Sequence, residues 1–186
     1  MRSRVSAITG FAILAPAVLI GASCTAVDGT AMRAPIPTNI TGRPSVTFRP
    51  CDEMPVGVLR QLRLDQSPTA FSSQSSKTGF QSKTCTYRPL SRQYRVVIVV
   101  ANYTLGAHQN DLTHRDKQAF TLDGRRALSY GISGEPGTFS CEVDVAATTG
   151  IFGVRIATNT GKYGPYADCP STARHHLDAF LPYFPW

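Results

Sequence analysis

The chain has no Cys-x-x-Cys pair, no Gly-x-Ser-x-Gly, no two histidines four residues apart and no glycine-rich phosphate loop. Each absence removes a chemistry. Without paired cysteines neither a zinc knuckle nor a thioredoxin-type redox pair is indicated. Gly131-Ile132-Ser133-Gly134 comes nearest to a nucleophile elbow, but position 135 is Glu, and Gly134-Glu135-Pro136-Gly137 reads as a turn between strands. The closest approaches to a ligand set are His108 with His114 or Asp111, and His175 with Asp178. Adjacent His175 and His176 point about 100° apart on a helix and share a metal poorly. All four histidines are read as exposed, and neither metal nor other cofactor is expected. The close acidic pairs, Asp52 with Glu53 and Glu142 with Asp144, fit helix capping and an exposed strand face, so no catalytic residue is assigned.

Charge is sparse as well. Only 17% of the 186 residues are charged, with a formal net charge of +7. The basic residues are scattered, with no recognition helix, so no nucleic-acid partner is expected.

Nor is there an acidic residue before Asp28. Arg2 and Arg4 precede an apolar run, Val5–Ala22, broken only by Ser6 and Thr9, which is the layout of a secretory signal over residues 1–23. Pro16 interrupts the run and no Lys/Arg cluster follows it, so removal is favoured over a membrane span. Gly21-Ala22-Ser23-Cys24 resembles the lipobox of bacterial lipoproteins, which implies that Cys24 is acylated and begins the mature chain. The family usually carries Leu, Val or Ile where Gly21 stands. Ordinary cleavage near Ala22 or Ala26, giving a secreted protein, is the alternative. Acylation accounts for the odd one of five cysteines and leaves Cys51, Cys85, Cys141 and Cys169 to pair in an oxidising space.

Residues 24–47, with Pro35, Pro37 and Pro44 among Gly, Ser and Thr, read as a flexible tether. Residues 48–186 are enough for one domain with a sizeable core. A first helix is predicted over Pro55–Leu64, a long exposed loop over Ser67–Lys83, a strand over Lys83–Pro89, and the strongest strand over Tyr94–Tyr103. Thr113–Phe120 reads as a short helix, and Arg126–Ile132, Thr138–Thr148 and Ile151–Thr158 as three strands. In the second of these Cys141, Val143 and Val145 share one face, Glu142 and Asp144 the other. A last helix follows Cys169-Pro170 and ends at Pro182. The expected fold is therefore α+β, a mainly antiparallel sheet of about five strands with the N- and C-terminal helices on one face. If each helix docks beside its own strand cysteine, the disulfides are Cys51–Cys85 and Cys141–Cys169, but four cysteines allow three connectivities.

Pro50-Cys51-Asp52 before a helix ending Leu62-Arg63-Leu64, Lys83-Thr84-Cys85-Thr86-Tyr87 opening a strand, and Cys169-Pro170 leading to Phe180-Leu181-Pro182 together resemble an uncharacterised domain. It occurs in exported lipoproteins of mycobacteria and related actinobacteria, the group of LprB and LprC, whose members often have Trp where this chain has Tyr87. The resemblance implies an envelope lipoprotein on a cysteine-linked α+β scaffold and carries over no catalytic residue.

The expectation is thus a lipid-anchored, non-enzymatic protein on the outer face of the cell membrane that binds a partner protein, glycan or lipid. A cell-wall hydrolase or transferase is the alternative. Tyr163, Tyr166 and Trp186 are the candidate ligand-binding residues, offering aromatic faces near the last cysteine.

Overall fold

The computed structural model describes residues 35–134 and 138–185. The expected signal, Cys24 and Trp186 lie outside the described residues.

The sheet has seven antiparallel strands, not about five: β1 (Ala70–Ser75), β2 (Gln81–Tyr87), β3 (Arg95–Ala101), β4 (His114–Leu122), β5 (Arg125–Ile132), β6 (Phe139–Ala147) and β7 (Gly150–Thr158). The two strands that composition hides are its edges. β1, Ala-Phe-Ser-Ser-Gln-Ser, lies in the expected loop and is exposed at every position. β4, His-Arg-Asp-Lys-Gln-Ala-Phe-Thr-Leu, lies where a helix is expected and is exposed or half-exposed until Leu122. An edge strand buries too little to require alternating apolar residues, and its charges and polar side chains discourage pairing with another chain. A register shift between Arg115 and Gln118, with Asp116 at φ 50°, further breaks the period of two in β4.

Strand order is β1-β2-β3-β7-β6-β5-β4, so two meanders lie side by side and β7 returns to pair with β3. The chain must therefore travel from β3 across the sheet to the far edge, and α2 (Leu105–Asn110) lies on that crossover. Thr104 caps α2 by accepting from Ala107 N. Leu105 packs with Ala101, Leu128, Tyr130 and Ile151 in a small apolar cluster.

The other sheet face carries the main core. Val96, Ile98 and Val100 of β3, Val143 and Val145 of β6, and Phe152, Val154 and Ile156 of β7 meet Val58 and Leu59 of α1 (Val56–Gln61) and Ala173, Leu177 and Phe180 of α3 (Cys169–Phe180). Asp168 caps α3 in a reciprocal capping box with Ser171, and Pro170 sits in the first turn, where its missing N–H costs nothing. Asp52 and Glu53 do not enter the first turn of α1. Asp52 pairs with Arg49 and Glu53 accepts from the Arg49 backbone N–H.

Disulfides join Cys51 to Cys85 and Cys141 to Cys169, tying the segment before α1 to β2 and the start of α3 to β6. The compact unit that holds the sheet includes Pro35 onward, and so takes in part of the expected tether. Val46 is buried, Asn39 donates to Gly79 O at 2.7 Å, and Asn102 donates to Pro44 O at 2.9 Å. Side-chain amides satisfy this proline-rich segment in place of strand pairing, which its composition could not reveal.

Candidate functional site

Along β6, Glu142 and Asp144 point away from the main core, as strand alternation requires, yet both are 0% exposed. The exposed strand face expected for them does not exist, because the crossover covers it. Glu142 stands between Arg155 of β7 and Tyr130 of β5, and Asp144 between Gly153 and Leu128. Arg155 Nε donates to Glu142 Oε2. The Tyr130 hydroxyl donates to Asp144 Oδ2 at 2.8 Å, and His108 Nδ1, brought over the sheet by α2, lies 2.9 Å from the same oxygen and 2.6 Å from the hydroxyl.

His114, at the start of β4, stacks on the Tyr130 ring with centroids 4.1 Å apart and meets the His108 ring edge-on at 5.2 Å. Its Nδ1 is 3.2 Å from the His108 carbonyl, and its Nε2 lies 3.8 Å from Asp111. His108, His114 and Asp111, considered for metal binding on sequence grounds, are therefore neighbours, but the acids closest to His108 are the two on β6. Only His175 is exposed as expected of all four histidines; His176 is fully buried and the other two are largely covered.

The electrostatics follow from burial. Burial and then repulsion from Glu142 push the Asp144 carboxyl well above the usual carboxylate range, against the hydrogen bonds from His108 and Tyr130. Burial alone would lower the His108 imidazole, but its hydrogen bond to Asp144 and that group's charge outweigh it and leave His108 above its ordinary value. Burial, reinforced by the neighbouring carboxylates, keeps Tyr130 protonated far above its ordinary range. The charge of Glu142 holds the Arg155 guanidinium positive.

A cavity of about 580 Å³ opens over this cluster. His108, Tyr130, Glu142 and Arg155 line it, together with the polar Ser82, Thr84 and Gln74 and with Tyr103, which stacks on Phe80 at 4.9 Å. Asp144 lies beneath, holding His108 from behind. The two β6 acids thus do not flank the opening as a catalytic pair would, since only Glu142 lines it.

Of the aromatic residues singled out in the sequence, Tyr163 and Tyr166 are not brought into one groove. Tyr163 lines a hollow beside Cys141 and Cys169, whereas Tyr166 lines another with Tyr94 and His175. Ser133 is exposed at the end of β5. No helix among the described residues is long and apolar enough to cross a membrane.

No curated protein and no solved structure matches the chain. One family does, over residues 19–183, and so covers every residue of the cavity. The chain belongs to that family, described as "Protein of unknown function (DUF3558)".

Proposed function

We propose that this is an exported, lipid-anchored envelope protein, of the kind its resemblance to mycobacterial lipoproteins implies, that binds a hydroxyl- or amine-rich envelope ligand, a glycan in the first instance. The observation that carries the reading is Glu142: its Oε1 is buried without a hydrogen-bond partner, and the residue lines an open polar cavity. An unpaired buried carboxylate oxygen costs free energy that a donor on a ligand offsets. The hydroxyl and amide flank suits further sugar hydroxyls, and Tyr103 offers a face on which a pyranose ring stacks. Acylation of Cys24 would place the cavity outside the membrane.

The test is a panel of a soluble muramyl peptide, a β-linked N-acetylglucosamine oligomer and phosphatidylglycerol vesicles, read by thermal shift and by the ring resonances of His108 and Tyr103. Binding of a sugar-bearing probe that is lost in Glu142→Gln supports the reading. A panel that leaves every cavity resonance unmoved sinks it. Intact mass tests the anchor, which requires added acyl mass on a chain beginning at Cys24.

The His108–Asp144 pair favours a second reading, a cell-wall hydrolase or transferase. A carboxylate bonded to Nδ1 fixes the imidazole's tautomer, and a base at His108 would stand among the residues that line the cavity. Turnover of labelled peptidoglycan by the wild type and not by His108→Ala would decide for it.

A further inference from the structure

We infer that His108, Glu142 and Asp144 form a site for one divalent transition-metal ion of the zinc class. The inference deepens the binding reading, resting as it does on the same cavity, and it stands on three observations.

The first is geometric. Each residue brings one donor atom to within 4.8 Å of the other two, His108 from α2 and both acids from β6 of the sheet. Tetrahedral metal bonds of about 2.1 Å set neighbouring donors about 3.4 Å apart, and His108 Nδ1 and Asp144 Oδ2, separated by 2.9 Å, need part only slightly to admit an ion. The second is charge. Of two carboxylates, both 0% exposed, Glu142 has a permanent cation in direct contact, Arg155, and Asp144 has none, its partners being His108 and Tyr130. Buried charges are stable when paired or metal-bound, so a cation beside Asp144 has a place that no fixed positive charge fills. The third is unmet bonding: Glu142 Oε1 is buried and has no hydrogen-bond partner.

The surroundings are those a metal site needs. Arg155 and Tyr130 hold the carboxylates, His114 braces Tyr130 by stacking, and the cavity gives an ion a way in. One imidazole and two carboxylates suit zinc better than calcium, which takes six to eight oxygens. Sequence spacing conceals this set, since His108 lies far from β6 along the chain and reaches it only through the crossover.

The experiment is calorimetric titration of zinc chloride alone into the untagged mature protein after chelator treatment. One equivalent should bind, raising the melting temperature. Tyr130→Phe, which keeps the ring and removes one supporting hydroxyl, should weaken binding about 10-fold, and Glu142→Gln should abolish it. Since a change at a buried acid can prevent folding, cobalt absorption of the wild type gives a second readout: visible bands of nitrogen and oxygen coordination, without a thiolate band, support the site. Failure of the folded wild type to bind stoichiometrically, unchanged affinity in Tyr130→Phe and folded Glu142→Gln, or loss of binding in His175→Ala instead overturns it. Because zinc is added without an organic ligand, a protein that takes the glucosamine oligomer but no zinc removes the metal site and leaves the binding reading intact; the reverse result does the opposite.

Discussion

The carboxylate of Asp144 occupies the space that any side chain at Gly153 would need: Oδ1 lies 1.9 Å from where a Cβ on that glycine would stand. The two residues face each other across β6 and β7. A glycine in the middle of a strand ordinarily weakens it, and here the missing side chain is what lets an acid lie flat against its neighbour and turn its other oxygen to His108 and Tyr130. Gly153→Ala should therefore act twice. Overpacking should cost about 2 kcal/mol in urea unfolding, and the displaced carboxylate should release the His108 ring, seen as a shift of its resonances. A variant with wild-type stability and an unmoved His108 would mean that the carboxylate is free to sit elsewhere.

How far the fold was legible depends on where each strand sits. β3, Arg-Val-Val-Ile-Val-Val-Ala, is covered on both faces and announces itself by an unbroken apolar run. β1 and β4 are edges and lack any such signal, which accounts for the shortfall in strand count. The candidate site was legible only in part. Alternation along β6 gives the shared face of Glu142 and Asp144, but no pattern in residues 102–113 says that the crossover will bury that face. Exposure is the usual state of a charged side chain on the second face of an antiparallel sheet, so the residue types alone point the wrong way for these acids.

The disulfides should contribute through the unfolded chain. Cys141 and Cys169 are 28 residues apart and Cys51 and Cys85 are 34 apart. Chain-entropy arguments give about 3 to 4 kcal/mol for loops of this size, against a total of about 5 to 15 kcal/mol for an ordinary domain. The double variant Cys141→Ala/Cys169→Ala should lose about that much in guanidinium unfolding and free the start of α3 from β6, with faster amide exchange through its first turn. Unchanged stability would show that packing of Ala173, Leu177 and Phe180 alone holds the helix.

Asn102 is the clasp of the N-terminal segment. Its Oδ1 accepts from Gln81 N at 2.8 Å and its Nδ2 donates to Pro44 O and Gly79 O, each at 2.9 Å. Asn102→Asp keeps the shape but sets a carboxylate oxygen against two carbonyl oxygens, an uncompensated contact that should cost about 3 kcal/mol. The loss should be local before it is global. Arg43, whose guanidinium lies 3.9 Å from the Phe80 ring centroid, should become a trypsin site at denaturant concentrations where the rest of the domain is still folded. Equal protection of Arg43 in both proteins would assign the anchoring to Asn39 instead.

His176 should make the domain acid-sensitive. It is fully buried on α3 against Tyr94 and Tyr166, its Nε2 3.2 Å from the Tyr94 hydroxyl and its Nδ1 without a partner. Burial, with a smaller contribution from neighbouring His175, lowers its pKa to about 3 from the ordinary imidazole value of 6.5. The imidazole is thus neutral in the folded protein and takes up a proton on unfolding once the pH falls below its unfolded value. Stability from this group is complete above pH 6.5 and declines as the pH drops toward 3, a loss of about 2 kcal/mol by pH 5. His176→Gln retains a hydrogen-bonding partner for Tyr94 and cannot titrate. Urea midpoints measured from pH 7.5 to 5 should fall more steeply for the wild type than for this variant, by an amount equivalent to that difference. Parallel curves would mean that His176 takes up its proton in folded and unfolded chains alike, because Asp144 and His108, both raised in the fold, would make stability rise rather than fall on acidification.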